Sequence, residues 1–331
     1  MRFVRVFAWL LVLLAHPAWA QSSPELQYLE QRLASLATEN PGEYGFAALD
    51  LGTGTAVSFN GQRAFPMAST MKIAVAAVYL SQVDAGWRSL DDSIGDVSAG
   101  TLMDRMIVHS DNRATDQLIA ALGGPIVVDN WLRARGLSGI RVDRTIAQLL
   151  SDRRDLQDVR DSSTPTAMLG LLRVIDSGNA LTPQSRSILM DMMRRCATGS
   201  NRIRGILPAN VTVEHKTGTL NGYTGDVGYL TLPGGRRIAV VFFARGGSNR
   251  PAVIATAARA IYETFAGGTP AQLPWQAQQP AQRGLAPVIN SGNVQAAGAR
   301  LPASALPRNS YSAPIPAQQQ RRVPGAASPS N

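Results

Sequence analysis

Ser69 and Lys72 stand three residues apart in Ser69-Thr70-Met71-Lys72, at the start of a stretch that reads as a helix to about Asp84. At that spacing the hydroxyl and the amine share one helix face. A serine hydroxyl is a poor nucleophile until a base takes its proton. A lysine can be that base if burial or a second cation lowers its pKa. The helix N-terminus adds backbone N–H groups suited to an oxyanion. The pair therefore suits attack on a carbonyl carbon, although a cap serine beside a surface lysine would read the same. Two further clusters shift the balance. Ser110-Asp111-Asn112 lies between a helix ending near His109 and one running to Leu122, and Lys216-Thr217-Gly218 lies in a strand. Lys216 is a second cation that would help keep Lys72 neutral. Ser110 offers a hydroxyl to relay a proton to a leaving nitrogen, and Asn112 an amide to orient a substrate amide. Gly218 lets a substrate approach the backbone closely.

The elements that must position these groups follow from the pattern of the chain. Ser23-Pro24 starts a helix with Leu26, Leu29, Leu33 and Leu36 on one face. Tyr44–Leu51 and Ala56–Phe59 flank Gly52-Thr53-Gly54 as a hairpin. Helical patterns fill residues 69 to 205, with Thr164-Pro165 and Thr182-Pro183 as capped helix starts. Val211–Thr219, Val227–Leu232 and Arg237–Ala244 read as strands, and a last helix runs from Asn249 and Pro251 to Phe265. The predicted fold is α+β within the broad α/β class. A five-stranded antiparallel sheet joins strands from both ends of the chain, the first and last helices cover it, and an all-helical lobe is inserted between.

Composition bounds the rest. The chain has 331 residues, 45% hydrophobic and 17% charged, which suits a packed globular body. The single cysteine, Cys196, excludes an intramolecular disulfide and a Cys-based zinc site. Three histidines (His16, His109 and His215) argue against a His-rich metal centre, so neither metal nor cofactor is expected. Residues 1–20 read as a secretory signal, with Arg2 and Arg5, the apolar run Val6–Ala15 and the cleavage site Ala18-Trp19-Ala20. The folded body is then 21–266, and the protein is expected to be exported, periplasmic or secreted. Residues 267–331 carry ten of the twenty prolines, five arginines and no acid, and read as a disordered basic tail. With the leader and tail set aside, little of the net charge of +9 is left on the body, which argues against a nucleic-acid partner. The tail suits solubility or weak contact with anionic envelope polymers.

The motif set S-x-x-K, S-D-N and K-T-G resembles that of class A serine β-lactamases and penicillin-binding proteins. The likeness covers roughly Leu26 to Phe265 in family order, through Phe65-Pro66-Met67-Ala68-Ser69-Thr70-Met71-Lys72, His109–Asp116, Gly123-Gly124-Pro125 and Val213–Thr219. S-D-N in place of a tyrosine-containing motif points to class A rather than class C. The resemblance implies that Ser69 is acylated, Lys72 is its base, and Ser110 passes a proton to the lactam nitrogen. It implies that Asn112 holds the substrate's side-chain amide, that Lys216 and Thr217 bind its carboxylate, and that Ser69 and Thr219 supply oxyanion N–H groups from the backbone beside Gly218. Arg202 matches a run in which some members place an arginine behind the K-T-G strand; its other reading is a solvated arginine at a helix end.

One part of the pattern is broken. The family's Ω-loop lies between an Asp-Arg and an Arg-Asp pair, here Asp143-Arg144 and Arg160-Asp161, which implies a closing Arg144–Asp161 salt bridge. Where the family carries the glutamate and asparagine that activate and hold the hydrolytic water, this chain has Ile146 and Leu150. Loss of a general base typically costs about 10²–10⁴-fold. The expectation is an exported β-lactamase-like serine hydrolase with slow deacylation, unless Asp152, Asp155, Asp158 or Gln148 substitutes. Two other readings share the motifs: a penicillin-binding acyl-enzyme acting on acyl-D-Ala-D-Ala-like substrates or trapping β-lactams, and a non-catalytic envelope-binding protein.

Overall fold

The computed structural model describes residues 23–267, apart from residue 154; the leader read at 1–20 and the tail beyond Gly267 lie outside the described residues. Helix α1 (Pro24–Glu39) has proline at its first turn, as Ser23-Pro24 announced. Strands β1 (Glu43–Asp50) and β2 (Ala56–Phe59) form the hairpin, whose turn is tied by the Gly52 N–H donating to Asp50 Oδ1 at 2.9 Å. The short β3 (Phe65–Pro66) leads into a 3₁₀ turn, Ala68–Met71, and then α2 (Lys72–Asp84). A two-residue hairpin, β4 (Ser93–Ile94) and β5 (Val97–Ser98), precedes α3 (Ala99–Val108), α4 (Asn112–Leu122) and α5 (Pro125–Arg133). Next come α6 (Ile146–Ser151), β6 (Ser162–Ser163), α7 (Pro165–Asp176) and α8 (Pro183–Arg194). The described residues close with a 3₁₀ turn at Ile203–Ile206, β7 (Thr212–Leu220), β8 (Tyr223–Thr231), β9 (Arg237–Arg245) and α9 (Arg250–Phe265).

Among the described residues β2-β1-β9-β8-β7 form one five-stranded antiparallel sheet, as predicted. The inserted lobe is not wholly helical: β3 pairs with β6, and β4 with β5. Alternation sorts the sheet's side chains onto two cores. Ala47 and Leu49 of β1, with Ala239, Val241 and Phe243 of β9, join the core under α2 and α7. Phe46 and Ala48, with Val240, Phe242 and Ala244, join the core under α1 and α9. Each fully buried Val, Ile or Phe contributes about 1.5–3 kcal/mol, so β1 and β9 are held from both faces.

The proline-led caps act as expected: Thr164 Oγ1 accepts from the Ala167 N–H at 3.1 Å, and Thr182 Oγ1 from the Ser185 N–H at 3.3 Å. Strand β8 begins at Tyr223, four residues before the predicted Val227, and so takes in Thr224-Gly225-Asp226. Those residues are buried and paired with β7. Helix α2 is buried on every side from Lys72 to Leu80, the pattern of a central helix rather than a surface one. A lysine at the head of such a helix is where burial should act on an amine.

Candidate active site

Ser69 lies in the 3₁₀ turn rather than in the helix proper, and Lys72 is the first residue of α2. The turn is left half open to solvent at Ser69, while Thr70, Met71 and Lys72 are buried. Two residues at the site hold positive φ without being glycine: Ala68 at 48° and Ser110 at 60°. Each such residue costs on the order of 1–3 kcal/mol and persists only where its surroundings enforce it. Packing by β7 is part of that enforcement. A Cβ on Gly218 would lie 2.5 Å from the Met67 carbonyl oxygen and 3.2 Å from Ala68 Cβ. The missing side chain therefore makes room for the nucleophile turn itself, a different use from the substrate approach read in the sequence.

Lys72 Nζ donates to the Ser110 carbonyl at 2.7 Å and to Asn112 Oδ1 at 2.8 Å, with Ser110 Oγ at 3.3 Å. The S-x-x-K and S-D-N motifs are thus joined through this amine. Burial, and then repulsion from Lys216, pushes the Lys72 pKa down to about 7, against the pull of Asp111 and Asp116. Lys216, also fully buried, is pushed down to about 8, chiefly by burial. The repulsion is mutual, so when Lys72 gives up its proton Lys216 keeps its own more easily. These are the only two lysines in the sequence; every other strong cation is an arginine, which does not titrate in this range.

The K-T-G strand carries the other predicted residues. Thr217 Oγ1 meets Thr198 Oγ1 at 2.5 Å, and the buried Cys196 thiol lies 3.4 Å beyond it. Arg202 is not a solvated helix-end residue. Its guanidinium donates to the carbonyls of Gly218 at 3.1 Å and Gly225 at 2.9 Å, and to Thr219 Oγ1 at 2.7 Å, so it ties β7 to β8 beside Thr219. Behind it, His215 and Asp226 form a fully buried pair with Nδ1 and Oδ1 2.8 Å apart, and Asp226 Oδ2 accepts the Ile203 N–H at 3.2 Å. Sequence reading gave His215 no role. The pairing of β8 with β7 sets Asp226 beside it.

The Ω-loop closes as the resemblance implied: Arg144 Nε donates to Asp161 Oδ2 at 2.6 Å, and Asp161 Oδ1 accepts the N–H groups of Asp143 and Arg144. The residues considered as substitute bases are engaged inside the loop. Asp152 pairs with Arg144 at 2.6 Å, and Asp158 with Arg160 at 2.7 Å, whose bonds hold its carboxyl down to about 2. Asp155 is exposed and accepts the Gln157 N–H. Gln148 is spent on a capping box with Thr145. Ile146 is buried at 4% exposure, whereas Leu150 is 51% exposed. A residue the motifs did not single out completes the loop's seat: Asp116 accepts the Ile146 N–H at 2.6 Å and the Ala147 N–H at 2.9 Å. Its spacing from Asn112, one helical turn, was the available signal.

A model described as the beta-lactamase enzyme family matches residues 28–265. The chain belongs to that family. It is 30% identical over 255 residues to the carbapenem-hydrolyzing β-lactamase KPC of Klebsiella oxytoca, covering 70% of this chain and 86% of that protein. It is 29% identical to the β-lactamase CTX-M-8 of Citrobacter amalonaticus, covering 77% of this chain and 94% of that protein. Among solved structures, the class A β-lactamase of the last common ancestor of Gram-negative bacteria superposes with a TM-score of 0.68 at 34% identity, covering 72% of this chain and 99% of that one. A β-lactamase from Chitinophaga pinensis gives a TM-score of 0.68 at 28% identity, with 72% and 99% covered. The family is that of class A serine β-lactamases, and the chain is a serine hydrolase of that type.

Proposed function

We propose that this family member opens β-lactams through an acyl-serine at Ser69 and releases the product slowly. The observation that carries the reading is Lys72: a buried amine with a pKa near 7, one turn from Ser69 and hydrogen-bonded to both Ser110 and Asn112. Neutral Lys72 takes the Ser69 proton as Oγ attacks the lactam carbonyl. The oxyanion collapses, the ring C–N bond breaks, and the Lys72 proton reaches the lactam nitrogen by way of the Ser110 hydroxyl. Asn112 Oδ1 is taken by Lys72, which leaves its NH₂ to meet a substrate carbonyl. Lys216, Thr217, Thr219 and Arg202 gather positive charge and hydroxyls for the substrate carboxylate, while N–H groups of Ser69 and Thr219 would serve the oxyanion.

Slow release is supported by Ile146 and Leu150, which offer no base or water ligand, and by the engagement of Asp152, Asp158 and Gln148 within the loop. The ester is then cut by water with little general-base help, slower by about 10²–10⁴-fold. In this reading residues 1–20 are removed on export, the enzyme meets β-lactams outside the cytoplasm, and 267–331 is a basic tail for solubility or envelope contact.

Intact-protein mass after mixing with excess benzylpenicillin, sampled from seconds to hours, tests this. Ring opening loses no atoms, so the expected product is a one-to-one adduct carrying the whole antibiotic mass, decaying slowly while free antibiotic is consumed. Ser69→Ala should show no adduct. Rapid antibiotic loss without an adduct would overturn slow deacylation, and neither adduct nor loss would overturn the substrate class.

A further inference from the structure

Helix α6 has six residues, too few to hold itself together in water. Its first amides are all taken by side chains. Thr145 Oγ1 accepts the Gln148 N–H at 3.2 Å, and Gln148 Oε1 accepts the Thr145 N–H at 2.9 Å. The Ile146 and Ala147 amides go to one carboxylate from another helix, Asp116 of α4. Two donors converging on one side chain call for two acceptor oxygens. An asparagine would turn its NH₂ against one of them.

The charge of the same carboxylate also acts on the catalytic amine. Asn112 and Asp116 are one turn apart on α4 and so share a face. Asn112 receives a hydrogen bond from Lys72, and the Asp116 charge acts on Lys72 along with those of Asp111 and Lys216. Asp111 is occupied at its own helix start, where Oδ1 accepts the Ala114 N–H at 3.0 Å. Lys216 comes from β7, Asp111 caps α4 and Asp116 lies within it, and the other groups bonded to Lys72, the carbonyls of Ser110 and Asp111, the Ser110 hydroxyl and Asn112 Oδ1, are neutral.

We propose that Asp116 is a positioning residue for acylation: its carboxylate pins the first turn of α6 onto α4 and supplies the negative charge that offsets Lys216 at the Lys72 amine. The Ω-loop and the proton state of the base are coupled through this one side chain. In a chain with no acid at 146, Asp116 is the carboxylate that joins the loop to the base. Its catalytic consequence rests on the acyl-enzyme reading; its physical content does not.

The test is an NMR titration of the full chain labelled with ¹³C and ¹⁵N in lysine, which gives two side-chain signals, assigned with Lys72→Met. Removing the charge by Asp116→Asn should lower the Lys72 midpoint by about half a pH unit or more, because an uncompensated ammonium loses its proton more readily. Asp116→Glu keeps the charge and should leave the midpoint within about 0.2 units. Amide exchange at Ile146 and Ala147 should quicken at least about tenfold in Asp116→Asn. If that variant does not fold, Asp116→Ser is the neutral replacement. An unmoved Lys72 midpoint, or unchanged exchange at both amides, overturns the proposal whatever the penicillin mass measurement returns.

Discussion

Replacing Lys72 with methionine should abolish the chemistry and remove a cost to stability that depends on pH. An amine held at about 7, against 10.5 in its ordinary state, corresponds to about 5 kcal/mol of disfavour toward the ammonium in the fold. Methionine removes that disfavour with a side chain of similar reach. It also strips a donor from the Ser110 carbonyl and Asn112 Oδ1, at about 1–3 kcal/mol for each acceptor left dry, so the net gain at pH 7 is at most about 3 kcal/mol. The slope is the sharper quantity. Between pH 7 and 10 the unfolded wild-type chain holds a lysine proton that the native chain has released. Wild-type stability therefore rises with pH through that window by about 1.4 kcal/mol per unit from this group, and Lys72→Met lacks the term. The variant's advantage should shrink at that rate. Lys216 drops out of the comparison once Lys72 is neutral, since the repulsion between them is gone. Urea unfolding of both proteins at pH 7, 8 and 9 measures the difference directly. An advantage that stays flat to within about 0.5 kcal/mol across those two units would mean that Lys72 keeps its proton, and neutral-amine catalysis would have to be abandoned.

Gly218→Ala should damage acylation more than binding. Its methyl would meet backbone at Met67 that cannot yield, so the nucleophile turn must move, with a stability loss of about 1–3 kcal/mol and an acylation rate lower by roughly 100-fold. Thermal melting and the rate of adduct formation check the two numbers. Arg144→Ala leaves Asp161, 1% exposed, without its cation. It should cost about 3–5 kcal/mol in urea unfolding, and a cost under about 1 kcal/mol would show that the loop is closed by its backbone bonds alone.

Much of this architecture was legible because the residues that shape it act locally. Thr164-Pro165 and Thr182-Pro183 announced their helices through capping oxygens and fixed φ. The apolar runs Tyr44–Leu51 and Arg237–Ala244 announced strands, and the motif order brought Ser69, Lys72, Ser110 and Lys216 into one site. What escaped reading depends on partners far away in sequence. Asp226 lies just before the predicted strand, and only pairing with β7 and the buried His215 shows its place in it. Asp116 looks like an ordinary surface acid of an amphipathic helix until α6, thirty residues on, offers it two amides. Gly218 was read as an opening for substrate, because sequence does not reveal that Met67 lies against it. Ser69 was read as helical, because 3₁₀ and α starts share their residue preferences.

The contact between Gly218 and Met67 also sets the order in which this molecule can come alive. The strained turn around Ala68 is braced by a strand that follows it by about 150 residues, and β1 finds its partner β9 only after nearly all the body has been made. Such distant pairings are assembled late, since loop closure must precede the contacts that reward it. A growing or unfolded chain thus contains Ser69 and Lys72 but neither a braced nucleophile nor a buried, uncharged amine. Both arise together when the C-terminal strands dock, so the reactivity of Ser69 is a product of complete folding and is withheld from any chain that lacks β7 to β9.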